Sequence, residues 1–314
     1  MKEIGGYFEL ELRKGKEYHK DAIRLNTGRN ALELILKVKK YKKVFIPYYT
    51  CDVILEAFKK INIPYELYSI DNNFEPIFKF SILKDKEGFL YINYFGLKDI
   101  FISELVNNCK NLIIDNSQSF YSLPEKGVPT FYSCRKFFGV PDGAYLYLDG
   151  FTENDFPIDY SETRFKHLLK RIEYGAEAGY IDFKNNDNEL IGKPIKKMSK
   201  LTKALLCNID YEYIKEKRIE NYLFLHKYLS NKNKLHIQIE KGSIPMIYPF
   251  LTNQFGLKQK LIENKIYIAT YWPNVLKSTK EYSLEYKYAN QILSLPIDQR
   301  YNTKNLSTII RRIQ

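Results

Sequence analysis

The sequence has few of the residues that build metal sites and disulfide frameworks. Its 314 residues include four cysteines and four histidines, and the cysteines form no Cys-x-x-Cys pair. Scattered cysteines argue against both a zinc site and a disulfide-bonded scaffold. The histidines do not have the spacing of metal ligands. The sequence therefore predicts no metal site.

Long apolar runs are also missing. The most apolar stretch, residues 89–97, is far shorter than the roughly 20 residues that a membrane-spanning helix needs. The first six residues contain neither the apolar core nor the small-residue cleavage site of a secretory signal. We therefore expect a soluble, cytoplasmic protein without a membrane partner.

Acidic residues are outnumbered by basic ones, 37 to 49, which gives a net charge of +12. Such a protein attracts anions, whether nucleic acid, a membrane surface or phosphorylated small molecules. The lysines, however, are spread along the chain, and the richness in Lys, Ile, Asn and Tyr is what an AT-rich genome would produce. Nucleic-acid binding is therefore the weaker alternative, because it requires a continuous basic face with exposed aromatic rings.

The first 150 residues alternate between short β-rich runs and helical patterns. Alternation of this kind predicts an α/β fold, with a mostly parallel sheet flanked by helices. The patterns indicate helices at 31–39 and 53–61, and strands at 44–46, 65–70, 89–94 and 111–114.

The chain changes character near residue 150. Residues 150–200 are polar and interrupted by glycine and proline, which predicts an irregular segment between domains. A helix over 211–229 follows, then strands at 235–239 and 266–269, and a terminal helix after 292–296. We predict a large domain over residues 1–200 and a smaller C-terminal α+β domain over 201–314.

Ligands of open α/β sheets bind where strands end and helices begin, and three such segments carry useful side chains. In the first, Thr27, Gly28, Arg29 and Asn30 open a helix. A glycine there lets the backbone approach an anion, and the free N–H groups and helix dipole bind phosphate. The alternative is that Thr27 or Asn30 merely caps the helix, and for this segment alone we favour capping.

The second segment is the end of the strand at 111–114, where Asp115 is followed by Gln118. An aspartate at a buried strand tip is suited to pair with a protonated pyridine nitrogen, and Gln118 could reach the ring's hydroxyl oxygen. Alone, such an aspartate is more often a turn residue that binds its own backbone.

The third segment places Lys136 among aromatic residues and before the turn at Asp142-Gly143. A desolvated lysine becomes a usable amine nucleophile, whereas an average lysine is a solvated surface group. Only the combination of the three segments outweighs the simpler interpretation of each.

In this combination the chain resembles the DegT/DnrJ/EryC1/StrS sugar aminotransferases, which are fold-type I enzymes dependent on pyridoxal 5′-phosphate (PLP). The family's phosphate loop corresponds to residues 27–32, its Pro-x-x-Thr strand end to 47–50, and its Asp-x-x-Gln pair to Asp115 and Gln118. Its covalent lysine corresponds to Lys136. Further similarities lie at 94–96, 217–222, 268–272 and 295–296.

The resemblance implies a reaction and a site. An amino group, usually from glutamate, would be transferred to a nucleotide-linked keto-sugar in polysaccharide, O-antigen or related amino-sugar biosynthesis. Lys136 would attach to the cofactor and move the proton, and Asp115 would keep the ring nitrogen protonated. A homodimer is implied, with residues 150–200 near the partner's site. The cofactor-binding residues would be Thr27, Gly28, Arg29, Asn30, Thr50, Cys51, Asp115, Gln118, Ser133 and Lys136.

The chain also departs from the family pattern. Phe131 stands where a phosphate-binding serine is usual, so Ser133 is the nearest replacement. Cys51 stands where an aromatic residue usually stacks on the ring, a role that Tyr49 or Tyr94 could take. These changes, with Arg29 in place of threonine and a short 150–200 segment, favour a second interpretation: a PLP-fold protein of a polysaccharide pathway without transaminase activity.

Overall fold

A seven-stranded sheet forms the centre of the N-terminal half. The computed structural model describes residues 4–152, 156–237 and 239–314. Within the sheet the strand order is β1-β7-β6-β5-β4-β2-β3. Five strands, β2 to β6, run parallel, and β7 and β1 pair antiparallel at one edge. The strands are β1 (Ile23–Leu25), β2 (Lys43–Pro47), β3 (Tyr65–Tyr68), β4 (Glu87–Ile92), β5 (Leu112–Asp115), β6 (Thr130–Ser133) and β7 (Ala144–Tyr147).

The predicted α/β architecture is confirmed. The strands expected at 44–46, 65–70, 89–94 and 111–114 correspond to β2, β3, β4 and β5, with small shifts at their ends. Both β4 and β5 are buried along their whole length, as expected for a parallel sheet covered on both faces. The helices of this half are α1 (Gly28–Lys39), α2 (Leu55–Ile61) and α3 (Asp99–Asn108).

Helix α1 shows how local sequence sets an element that positions the site. The Thr27 side chain accepts a hydrogen bond from the Asn30 N–H, so the predicted helix cap is confirmed. Ile35 and Leu36 are fully buried and hold the helix on the sheet. The helix ends at Lys40, which adopts a left-handed conformation.

A two-stranded antiparallel sheet forms the centre of the C-terminal half, from β8 (Ile247–Leu251) and β9 (Ile292–Pro296). The predicted helix over 211–229 is confirmed as α7 (Tyr211–Leu229), and the predicted terminal helix is confirmed as α11 (Thr303–Ile313). No helix in the described ranges is long and apolar enough to cross a membrane. The remaining helices are α4 (Lys166–Tyr174), α5 (Ala176–Glu189), α6 (Lys200–Cys207), α7 (Tyr211–Leu229), α8 (Leu257–Glu263), α9 (Val275–Ser278), α10 (Leu284–Gln291) and α11 (Thr303–Ile313).

The prediction that residues 150–200 are irregular is wrong for much of that segment. Helices α4 and α5 form a hairpin that turns at Gly175, a residue with φ of +88°. The helices approach closely because Gly179 has no side chain; a Cβ there would lie 2.7 Å from the His167 carbonyl oxygen. The helical spacing of Leu168, Leu169 and Ile172 signals α4, but flanking glycine and proline residues obscured it.

The predicted C-terminal strands are also wrong. Residues 266–269 form no strand, apart from a single bridge between Ala269 and Ser294. Residues 235–237 have no strand either, and Gln238 of the predicted 235–239 strand lies outside the described residues. The partner of β9 is instead β8, which contains Pro249. A proline within an apolar run argues against a central strand, and β8 is paired on one side only.

Candidate active site

The candidate site lies at the carboxyl edge of the parallel strands. Strand β5 ends at Asp115, and the neighbouring β6 ends at Ser133, three residues before Lys136. Because β5 and β6 are parallel, both ends lie on the same edge of the sheet. The structure therefore brings Asp115 and Lys136 together, and their charges interact.

Asp115 is a buried carboxylate. Its Oδ1 accepts a hydrogen bond of 2.8 Å from the Ser117 N–H. Burial raises the pKa of Asp115, and the Ser117 hydrogen bonds and the Lys136 charge oppose that increase. In the described part of the chain it takes part in no ion pair, so a bound cation would relieve the cost of burying it.

Lys136 is exposed in the single chain, which differs from the desolvated lysine that its aromatic sequence neighbours led us to expect. Those neighbours, Phe137 and Phe138, are buried in the core instead. The rings that lie near the amine are Tyr271 and Trp272, whose centres are 5.7 and 5.8 Å from Lys136 Nζ. Sequence reasoning placed these two residues in the C-terminal domain and missed their proximity to the lysine.

Gln118 presents a buried donor to the site. Its Oε1 accepts a hydrogen bond of 3.0 Å from the Phe95 N–H, while its Nε2 is buried and has no acceptor among the described residues. The Thr50 Oγ1 is likewise buried without a partner in the described chain. Unsatisfied buried groups each cost about 1–3 kcal/mol. A ligand oxygen would satisfy the Gln118 donor.

At the start of α1, the side chains already have hydrogen-bond or ion-pair partners, whereas backbone N–H groups remain able to bind an anion. The Thr27 hydroxyl donates to Asn30 Oδ1, and Asn30 Nδ2 donates to the Lys193 carbonyl. Arg29 forms a 3.0 Å ion pair with Glu56. The N–H groups of Gly28 and Arg29 belong to the first helical turn and have no acceptor within the described ranges. An anion at this helix start would therefore meet two free N–H groups.

The loop after β5 and strand β6 itself pack against this helix start. A Cβ on Gly28 would lie 3.7 Å from the Ser117 hydroxyl and 3.8 Å from the Phe131 ring. Ser117 is thus the hydroxyl beside the helix start, and it was not among the predicted site residues. The sequence could have indicated Ser117, because it follows Asp115 by only two residues. The predicted Ser133 is half-buried at the end of β6.

The thiol of Cys51 interacts electrostatically with the Lys136 amine. Lys136 lowers the pKa of the Cys51 thiol, although burial raises it overall. Tyr49 and Tyr94 are fully buried and stack on each other at 5.6 Å. The two tyrosines therefore belong to the core, and the expectation that one of them replaces the ring-stacking residue gains no support.

Two cavities on the described chain lie away from this site. One, of about 370 Å³, is between residues 13–18 and 207–212. The other, of about 310 Å³, is between residues 72–73 and 234–236. Neither cavity is lined by Asp115 or Lys136. The candidate site is therefore identified by its side chains and not by a cavity.

No family profile matches the sequence, and no curated protein is similar to it. Solved structures, however, share its fold. DesV of S. venezuelae, solved with a ketimine intermediate, is 16% identical, with 93% of this chain and 83% of DesV covered at a TM-score of 0.63. A DegT DnrJ EryC1 StrS aminotransferase of Brucella abortus is also 16% identical, with 93% and 84% covered and a TM-score of 0.58.

A third similar structure, the sugar aminotransferase CalS13 of Micromonospora echinospora, is 13% identical, with 94% of this chain and 87% of CalS13 covered at a TM-score of 0.61. The chain therefore has the fold of the sugar aminotransferases, a fold-type I architecture with a mostly parallel seven-stranded sheet. The fold implied by the sequence resemblance is confirmed. At these identities the likeness concerns the fold, so the function rests on the site.

Proposed function

We propose that this protein is a PLP-dependent aminotransferase that acts on a nucleotide-linked keto-sugar. The observation that carries the proposal is the juxtaposition of Lys136 and Asp115 at the carboxyl edge of the sheet. A free amine for covalent attachment and a buried carboxylate for a ring nitrogen are the two groups that a pyridoxal cofactor requires. The fold, shared with sugar aminotransferases, supports the choice of reaction.

The residues of the site fit this cofactor. The N–H groups of Gly28 and Arg29 would bind the phosphate, and the unsatisfied Gln118 Nε2 would donate to the ring oxygen. Asp115 would hold the ring nitrogen, and the Cys51 thiol interacts electrostatically with both Lys136 and Asp115. When bound, PLP supplies an electron sink that stabilises negative charge on the carbon bearing the amino group.

The remaining chemistry belongs to the chain. The Lys136 amine would attach to the cofactor aldehyde, leave when the amino donor arrives, and then accept and return the proton of the reacting carbon. Its exposure leaves the amine accessible to substrates. Glutamate is the proposed donor, and a net charge of +12 favours an anionic nucleotide-linked acceptor.

We further propose a homodimer whose interface includes the α4–α5 hairpin. Ile172 on α4 and Ile181 on α5 are 80% and 71% exposed, and Leu169, Tyr174 and Tyr180 of the same hairpin are each more than half exposed, so this hairpin concentrates exposed apolar surface. On α4, the Leu168 side chain lies 3.6 Å from the Cβ position that a side chain at Gly139 would occupy. Gly139 is in the loop that follows Lys136. A second copy seated on the hairpin would cover apolar surface beside the site.

The test is the absorption spectrum of the purified protein with PLP, recorded before and after glutamate is added. A visible band that borohydride abolishes, with the reduced label mapped to Lys136, supports cofactor attachment. Loss of the band with glutamate supports the first half of transamination. Lys203→Ala, at an exposed lysine on α6, is the matched control and should behave as wild type. Absence of any band in wild-type protein would overturn the proposal.

One observation favours a second candidate, a PLP-binding protein without transaminase activity. The Arg29 guanidinium is engaged by Glu56, which also pairs with Lys60 and accepts from the Gly192 N–H. Arg29 would have to leave Glu56, which these other contacts hold in place, to add its charge to the phosphate. A band that forms with PLP but does not respond to glutamate or other amino donors would select this second function.

A further inference from the structure

Arg218, on α7, is a cation buried in the centre of the C-terminal half, where it is 1% exposed. Its Nη1 donates to the carbonyl oxygens of Pro245 and Met246, at 3.2 and 2.9 Å. Its Nε is buried and has no acceptor among the described residues, and none of the described carboxylates forms an ion pair with it. Burial lowers the pKa of Arg218 to about 10. Burying an unpaired guanidinium is costly, so its position calls for a physical role.

The guanidinium stacks on the residue that follows Lys136. Its central carbon lies 4.5 Å from the centre of the Phe137 ring. A second residue of the C-terminal half also contacts Phe137: Gln299 Nε2 donates a 3.2 Å hydrogen bond to the Phe137 carbonyl. Two residues of the C-terminal half therefore hold the ring and the backbone of Phe137, and with them the turn that carries Lys136.

The other end of the same guanidinium leads back to Gln118. Arg218 binds the Met246 carbonyl, the Met246 N–H donates to the Phe95 carbonyl at 2.8 Å, and the Phe95 N–H donates to Gln118 Oε1. One side chain thus connects the Lys136 turn to the loop that orients the Gln118 amide. A planar, permanently charged fork can stack and donate at once, which a lysine cannot do.

We propose that Arg218 is a positioning residue that fixes Lys136 relative to Gln118 by holding Phe137 and Met246 from within. This inference rests on the proposed function, because its effect is on attachment of PLP to Lys136. Arg218 touches no reacting atom. It acts by keeping the amine within reach of the cofactor aldehyde while Gln118 holds the ring oxygen.

The test compares PLP with pyridoxine 5′-phosphate, which has the ring and phosphate but no aldehyde for a lysine. For Arg218→Met, a variant of similar length without charge, we expect PLP to dissociate about tenfold more readily, whereas the affinity for pyridoxine 5′-phosphate should change less than about twofold. Arg218→Lys should rescue binding only partly, because it restores the charge without the fork. Arg311→Met, at an exposed arginine of α11, is the control and should match wild type.

Thermal unfolding of each unliganded variant identifies those that fold. Should Arg218→Met fail to fold, Gln299→Leu removes the Phe137 carbonyl contact alone and is expected to show the same selective loss, at a smaller size. Equal weakening of both ligands in a folded variant would reduce Arg218 to a structural residue and overturn the proposal, as would unchanged PLP binding. If wild-type protein binds neither ligand, the proposed function itself fails, a result distinct from either outcome.

Discussion

The amine of Lys136 lies 5.7 Å from the centre of the Tyr271 ring, although the two residues belong to opposite halves of the chain. The approach depends on contacts between the halves, such as the 2.9 Å hydrogen bond from Asn274 Nδ2 to the Thr50 carbonyl. The candidate site is therefore formed by strand ends of the N-terminal half and by aromatic rings of the C-terminal half.

Lys136→Ala should abolish transamination, lowering the rate of the glutamate half-reaction by several orders of magnitude. The variant loses the amine proposed for both covalent attachment and proton transfer, and each ~1.4 kcal/mol of lost transition-state stabilisation is a factor of ten. Stopped-flow measurement of the half-reaction gives the rate, and added ethylamine should restore part of it. Full activity in Lys136→Ala would contradict the assignment.

Asp115→Asn should stabilise the unliganded protein while weakening PLP binding. Burial raises the pKa of Asp115, so at neutral pH the folded state carries a penalty that a neutral amide avoids. The amide oxygen can still accept from the Ser117 N–H. We therefore expect urea unfolding at neutral pH to show a higher free energy of unfolding for the variant than for wild type. The gain should shrink as the pH falls and the wild-type carboxyl becomes protonated.

For the same variant, equilibrium titration with PLP should show weaker binding, because the ring nitrogen loses its charged partner. Asp85→Asn, at an exposed aspartate with no ion pair among the described residues, is the control for charge removal. A variant that binds PLP as tightly as wild type would show that Asp115 does not hold the ring nitrogen.

His19 should make stability fall in mild acid. The ring is 1% exposed, with Nε2 2.7 Å from the Phe120 carbonyl and Nδ1 3.1 Å from the Tyr147 hydroxyl. Burial lowers the pKa of His19 to about 4, whereas the unfolded chain takes up the proton near pH 6.5. The unfolded state is therefore favoured as the pH falls from 6.5 to 4, by about 3 kcal/mol in total.

Urea unfolding at pH 7 and pH 4.5 measures this loss, with His19→Phe compared against wild type. The variant should lose less stability between the two pH values, because the titrating ring is gone. His236→Phe, at an exposed histidine, is the control for replacing an imidazole with a phenyl ring. An identical pH dependence in His19→Phe and wild type would show that His19 does not titrate in this way.

Gly143→Ala should be strongly destabilising. Gly143 has φ of +107°, and a Cβ there would lie 2.9 Å from Cγ2 of the buried Thr202. Its N–H donates to the Asn26 carbonyl and its own carbonyl accepts from the Cys134 N–H, so it joins the α1 start to the Lys136 turn. Strain and overpacking together should cost about 2–4 kcal/mol of unfolding free energy.

Gly127→Ala separates the two effects. Gly127 also has a positive φ, +78°, but nothing lies within 4 Å of its Cβ position. Its substitution should cost only about 1 kcal/mol, from backbone strain alone. Chemical denaturation measures the loss of unfolding free energy in both variants. Equal losses would show that the contact with Thr202 adds nothing to the cost of Gly143→Ala.

Ile172→Lys should weaken self-association without lowering the stability of the single chain. The side chain is 80% exposed, so a charge there leaves the fold intact but opposes burial in an interface. Light scattering over a concentration series measures the dimer fraction. Ile82→Lys, at an exposed isoleucine far from the hairpin in sequence, is the control. A wild-type protein that stays monomeric throughout would refute the proposed dimer.

The sequence predicted the elements that have strong local signals. Helix α7 has the predicted bounds, and the cap at Thr27 was recognised because hydroxyl capping depends on neighbouring residues alone. The α4–α5 hairpin and β8 were missed because Gly175 and Pro249 read as breaks, whereas here a sharp turn and a singly paired strand accommodate them. Partners distant in sequence, such as Arg29 with Glu56, leave no local pattern to detect.

What the sequence determined by itself is the alternation of strands and helices up to β5, and hence the placing of Asp115 at the end of a buried strand; β6, the strand that precedes Lys136, was not predicted. The spacing of apolar residues and the presence of turn-forming residues are enough to predict this alternation, because both signals are contained within a few neighbouring residues. Tertiary structure alone decided which groups remain unsatisfied or exposed: the Gln118 Nε2, the exposed Lys136 amine, and the Arg218 guanidinium against Phe137. Burial and unmet hydrogen bonds depend on every element that packs around a group, and those elements come from both halves of the chain.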